Sequence, residues 1–263
     1  MLEVISALKG YAIEASDGKM GSVSDFLFDD RMWKVRWLVV DTGTWLTERK
    51  VLVHPSAIKG AEHERQALAV KLTKAEVEGS PSILQDQPVS LQMQRQLYDY
   101  YGWDPLWSAG YLGADSGAIA APYSAPPYFG FDSPREVADV APVPHDGDPD
   151  LRSVTEVTGY RIHAADGEIG HLENFLIHST SWSIAYLIVD TRNWWPGKHV
   201  LMSPHAVKEI DWSERRIQLN VTRDKVKASP PWDPLAMMNQ ADMSRLDAHY
   251  GWPGFGEWGR HTP

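Results

Sequence analysis

The sequence predicts a mainly β protein: two small antiparallel β-barrels in tandem, each followed by a short α-helix and an aromatic tail. Three observations predict it. The chain repeats itself at a constant offset of 149 residues. Each copy is a run of short segments of alternating hydropathy punctuated by turn residues, as half-buried strands require. Each copy then changes to a helical period and closes on Tyr-Gly-Trp.

The repeat needs no gap. Gly10-Tyr11 returns as Gly159-Tyr160, Asp17-Gly18 as Asp166-Gly167, Gly21 as Gly170, Phe26-Leu27 as Phe175-Leu176 and Trp33 as Trp182. The same offset carries Val40-Asp41-Thr42 onto Val189-Asp190-Thr191, Trp45 onto Trp194, Val51-Leu52 onto Val200-Leu201, and Tyr101-Gly102-Trp103 onto Tyr250-Gly251-Trp252. A unit of about 100 residues is a duplicated domain, since solenoid repeats are a few dozen residues long.

Within copy one, Ala12-Ile13-Glu14-Ala15 leads into Asp17-Gly18, and an Asp-Gly pair between alternating runs predicts a hairpin with a type I′ turn. Gly21 and Gly170 fall where a bulge or a close neighbouring backbone would exclude a side chain. Ser22 to Asp29 alternates polar and apolar before a loop at Asp30-Arg31. Val35 to Asp41 turns apolar on both faces, as a central strand does. Lys50 to Val53 and Gln66 to Lys71 complete five or six short strands, with Pro55-Ser56-Ala57-Ile58 as a turn between the last two. So many short strands in so little chain predict a small barrel, each copy closing around its own apolar interior.

Beyond each barrel, Leu91, Met93, Leu97 and Tyr101, and then Leu235, Met238, Met243, Leu246 and Tyr250, are spaced as on an amphipathic helix. The glycine of Tyr-Gly-Trp suits a left-handed cap, and Trp107 and Trp258 prolong the aromatic tails. The domain plan is a first barrel at 1–84, a helix and tail at 85–107, a linker at 108–150, a second barrel at 151–232, and a helix and tail at 233–263. The linker is rich in Gly, Pro, Ala and Ser and has a net charge of −6, so it holds most of the acidity of a chain whose formal charge is −10. It reads as a spacer; its Tyr111, Tyr123, Tyr128, Phe129 and Phe131 are candidates for docking on a barrel surface.

Composition excludes several classes. With no cysteine there is no disulfide scaffold, thiol nucleophile or thiolate metal site. No apolar run approaches the ~20 residues of a membrane-spanning helix, and a start with Glu3 in place of a basic region is not a secretory signal, so a cytoplasmic protein is expected. Basic residues cluster only as Arg49-Lys50 and Arg215-Arg216, too little for a phosphate-tracking stripe, and no direct nucleic-acid binding is expected.

The order Gly-Tyr, Asp-Gly-x-x-Gly, a Phe-Leu strand, a Leu-x-Val-Asp strand and a Val-Leu-x-x-Pro turn resembles the PRC-barrel domain. That domain is found in the cytoplasmic part of the photosynthetic reaction centre H subunit and as the C-terminal domain of the ribosome-maturation factor RimM. The resemblance covers each copy and implies a small β-barrel that docks onto other macromolecules, without catalytic residues or cofactor. The chain departs from those relatives: it has no counterpart of the H subunit's transmembrane helix or of RimM's RNA-associated N-terminal domain.

Candidate chemistry is sparse. His163, His171, His178, His199 and His205 all belong to copy two, and the equivalent positions of copy one are Glu14, Ser22, Asp29, Lys50 and Ser56. A shared metal site would have left ligands in both copies, so none is expected. Asp41 and Asp190 close apolar strands, where such a carboxylate satisfies turn amides. No nucleophile elbow, phosphate loop or dinucleotide fingerprint is present, and an enzyme is not expected. The tryptophans say more. Trp45 and Trp194-Trp195 lie on polar loops between strands and, with Tyr101, Trp103, Tyr250 and Trp252, are the candidate interface anchors. The expected function is a non-enzymatic adaptor or scaffold, homodimeric, with a protein partner, linked by resemblance to photosynthetic electron-transfer complexes or to stress response. The rival is a small-molecule or metal-binding regulator using a cleft between the barrels and the copy-two histidines.

Overall fold

The computed structural model describes residues 1–46, 49–80, 89, 91–103, 148, 150–191, 199–230, 232 and 238–252. The chain divides into two compact units, residues 1–79 with 150–263 and residues 80–149. The first unit holds two seven-stranded sheets. Copy one supplies β1 (Leu2–Val4), β2 (Ala12–Ala15), β3 (Gly18–Asp29), β4 (Lys34–Asp41), β5 (Lys50–Val53), β6 (Ile58–Glu62) and β7 (Ala67–Val70). Copy two supplies β8 (Leu151–Ser153), β9 (Arg161–Ala164), β10 (Gly167–His178), β11 (Ile184–Asp190), β12 (His199–Met202), β13 (Val207–Asp211) and β14 (Arg216–Leu219). A short helix follows each set, α1 (Lys74–Glu78) in copy one and α4 (Arg223–Lys227) in copy two. The tail helices are α2 (Leu91–Tyr101) and α5 (Gln240–Tyr250), and α3 (Val154–Val157) follows β8. Apart from β11, which starts one residue late, every copy-two strand lies 149 residues beyond its counterpart.

The strand order is β5-β4-β3-β2-β7-β6 in one sheet and β12-β11-β10-β9-β14-β13 in the other. Two expectations are corrected. The sheets are mixed: β2 pairs with β7, and β9 with β14, in parallel, because the long excursion through the intervening strands returns the chain in the same direction. Among the described residues the pairing path also ends on its outer strands instead of closing.

The hairpin turn differs too. Ala15 pairs with Gly18, so the loop residues are Ser16 and Asp17, and the positive φ falls only on Gly18, at 128°. That suits a glycine following a type I turn better than a type I′ loop. Asp17 is thereby freed to accept the amide of Lys74 at 2.9 Å, as Asp166 accepts that of Arg223 at 2.7 Å, tying each hairpin to its short helix. Gly21 and Gly170 behave as their positions predict: a bulge sits beside each, and an added Cβ would lie 2.2 Å and 1.9 Å from the carbonyl oxygens of Asp41 and Asp190.

The largest correction concerns the separate interiors. β1 of copy one pairs with β10 of copy two, and β8 of copy two pairs with β3 of copy one. The registers are reciprocal: Leu2 faces His178 and Val4 faces Leu176, while Leu151 faces Asp29 and Ser153 faces Leu27. The offset converts each pair into the other. The Val35 amide donates to the Trp182 carbonyl at 2.8 Å and the Ile184 amide to the Trp33 carbonyl at 2.7 Å. Lys34 bridges to Ser183, its own equivalent, which places the pseudo-twofold axis between them. Trp33 and Trp182 hold φ of 51° and 59°, a left-handed conformation that costs a bulky residue about 1–2 kcal/mol. Their carbonyls are thereby committed to the other copy. The rings close the seam: Phe28 lies 5.3 Å from Phe175 and 5.8 Å from Trp33, and Phe26 lies 6.3 Å from Trp182. Burying each such ring contributes about 1.5–3 kcal/mol.

Candidate interaction surface

Trp45 is half-buried on the loop between β4 and β5. Its indole N–H donates to the Met20 carbonyl, and the Lys74 ammonium lies 5.5 Å from the ring centroid. The ring is therefore held in place while part of it still meets solvent. Trp194 and Trp195 lie outside the described residues, as do Leu235, Trp107, Trp258 and the linker aromatics.

The Tyr-Gly-Trp ends have one geometry in both copies. Gly102 and Gly251 take φ of 63° and 77°, reversing the chain so that Tyr101 stacks on Trp103 and Tyr250 on Trp252, each at 4.1 Å between centroids. The left-handed cap read from the glycine is present, and the two aromatics it separates cover each other. Tyr250 is buried; Tyr101, Trp103 and Trp252 are half-exposed. Helix α5 starts at the Asn239 cap, one residue after Met238, and is fastened to the second sheet by the Tyr186 hydroxyl, which donates to Asp247 at 3.0 Å. Burial pushes the Asp247 carboxyl above its ordinary value.

The copy-two histidines are scattered. His199 lies 2.9 Å from Glu173, His171 3.6 Å from Asp190 and His163 3.7 Å from Glu168, three separate ion-pair geometries. A metal needs three or four converging donors, and among the described residues no such group occurs. His178 is seated against β1, and burial lowers it to about 4. Asp41 accepts the Gly43 amide at 2.8 Å, the turn-capping role. Asp190, its equivalent, is fully buried and faces His171.

Sequence reading missed the charged seam beside β8. Asp29, buried with Arg36 at 3.3 Å, also accepts the Arg31 and Met32 amides at 3.0 and 2.8 Å. Next to it Asp30 pairs with Arg152 at 3.1 Å and Arg31 with Asp150 at 3.0 Å. Burial drives the Asp30 carboxyl up to about 6 despite the Arg152 charge. The Arg152 guanidinium lies 4.0 Å above the Trp212 ring. Asp30, Trp33, Trp212 and β13 residues Val207 to Ile210 line a cleft of about 280 Å³ where the two sheets meet. The signal lay in the mismatches of the repeat: Asp29, Asp30, Arg36 and Arg152 stand opposite His178, Ser179, Ala185 and Glu3 at the same offset. Positions that break an otherwise regular repeat are where the copies took different roles.

No protein-family model matches the chain, and no curated protein matches it. Among the described residues no helix is long and apolar enough to cross a membrane.

Proposed function

We propose that the chain is a cytoplasmic, non-enzymatic protein-interaction adaptor whose halves are PRC-barrel-type domains. The ordered motifs shared by the halves support the domain assignment, and its link to photosynthetic electron-transfer complexes or stress response rests on that resemblance alone. The observation that carries the adaptor reading is Trp45: a large ring on an inter-strand loop, fixed by its own N–H and half-open to solvent. Such rigid aromatic anchors lose little entropy on binding and dominate interface energies. Homodimerisation belongs to the same proposal, through this loop and the aromatic helix ends.

The test compares the whole chain with its Trp45→Ala variant, both immobilised and offered to soluble protein from the source cells, with circular dichroism and light scattering run alongside. The variant is expected to keep its fold, lose at least about tenfold in affinity for a defined partner, and show a lower oligomer mass. Unchanged binding and mass would remove the adaptor role of this loop. Loss of folding would assign the ring to the sheet.

A second reading, a regulator binding a small polar molecule, is favoured by the cleft between the sheets, which Asp30, Lys208 and Glu209 line together with Trp33 and Trp212. A molecule co-purifying in stoichiometric amount, found by mass spectrometry of denatured protein, would support it. The three isolated histidine pairs give the metal form of this reading no support.

A further inference from the structure

We propose that β8 carries a charge code that makes the second half a selective partner for the first half, within one chain or between two copies, and bars each half from pairing with its own kind. The exchange of β1 and β8 is isologous in its backbone: equivalent residues make equivalent hydrogen bonds in both directions. Backbone pairing by itself therefore accepts a first half on a first half as readily as on a second. The choice has to come from side chains.

Asp30 and Arg152 supply it. Their side chains are 11% and 22% exposed, and they meet at 3.1 Å across the seam. Trp212 of the second half holds the guanidinium from below, so it is presented ready to bind. On the opposite side of the pseudo-twofold axis the same two places are taken by Ser179 and Glu3, and Glu3 turns to His63 of its own half at 3.6 Å. A first half paired with a first half would set Glu3 against Asp30, two carboxylates in a largely buried place. A second half paired with a second half would set Arg152 against Ser179, a neutral hydroxyl, in the place of Asp30. Both penalties fall on wrong pairings only, which is how specificity is built by repulsion. The neighbouring Arg31–Asp150 pair adds little, because Arg31 is 70% exposed.

Two intact variants test the code, Asp30→Arg and Arg152→Asp, with the double reversal. Each single reversal sets like charges together and is expected to lower the folded-to-unfolded ratio in urea by about thirtyfold or more. The double reversal restores an opposite pair and is expected to recover at least about tenfold of that loss. For a mixing experiment both single variants also carry Glu3→Gln, because Glu3 would otherwise attract the arginine of Asp30→Arg on a second first half. Unfolded in urea and refolded together in equal amounts, the two chains then restore an opposite charge pair at the seam only by exchanging halves. The expected product is a heterodimer of two 29.6 kDa chains, one of each variant, distinguished from the two homodimers by its mass in native mass spectrometry and present in excess over random pairing. Should a single variant fail to fold alone, the double variant and the mixture still report. A double variant no more stable than the weaker single one, or a mixture in which the heterodimer does not exceed random pairing, overturns the proposal.

Discussion

At Gly21 and Gly170 the backbone is extended beyond what a side chain allows, with φ of 154° and 141°, and the next strand's carbonyl fills the space where a Cβ would sit. Replacing either by alanine forces two strands apart and is expected to cost about 3 kcal/mol. Gly60, with nothing within 4 Å of its missing Cβ, is the control, and Gly60→Ala should leave the urea midpoint nearly unmoved. His54 makes a second case. It is fully buried, lies edge-on to Trp37 at 5.4 Å, and accepts the Ser56 amide at 3.2 Å. Burial, with Lys34 and Arg36 nearby, lowers it to about 3. A folded value below the unfolded one means that the unfolded chain takes up the proton first as pH falls. The stability His54 contributes is thus present above about pH 6.5 and is lost toward pH 3, by up to roughly 4–5 kcal/mol. Asp30 works the other way, since its raised carboxyl favours the folded state as pH falls through about 6. Serine fills the equivalent capping place in copy two, at Ser203. His54→Ser should therefore keep the cap while flattening the fall of the urea midpoint between pH 6.5 and 4.

The elements show why one sequence plan built two matching halves. Turn aspartates, bulge glycines and strand alternation act over a few residues, so they reappear wherever the text reappears. The short helices illustrate it: Thr73 and Thr222 cap them, and Asp17 and Asp166 reach over from the hairpins to the first amide. Helix α5 depends on more distant chemistry. Its stripe of Leu246 and Tyr250 is buried, and its one buried carboxyl, Asp247, is satisfied by the Tyr186 hydroxyl from the middle of β11. Tyr186→Phe removes that donor while leaving the ring, and denaturation in urea is expected to show a loss of about 1–3 kcal/mol, the penalty of an unmatched buried acceptor. If the midpoint stays at the wild-type value, water has taken the hydroxyl's place and the anchoring role fails.

For the whole molecule, the decisive feature is the exchange of β1 and β8. It turns two expected separate domains into one body in which strand edges, rings and charges are shared across a pseudo-twofold axis. The first β-strand of each half is a weak signal on its own, three residues long, and it finds its hydrogen-bond partners on the far half of the chain. The mainly β character, the duplication, the hairpins and the glycine-capped aromatic helix ends were legible in the residues, because spacing, turn chemistry and backbone freedom are local properties. The same text carried Trp33 and Trp182 as a matched pair. It did not reveal that both would stand in left-handed conformations with their carbonyls given to the opposite half, nor that Asp30 would meet Arg152. Those contacts join residues more than a hundred positions apart, and only the folded chain, bringing two half-buried edges together and excluding water between them, decided which of its charges would meet.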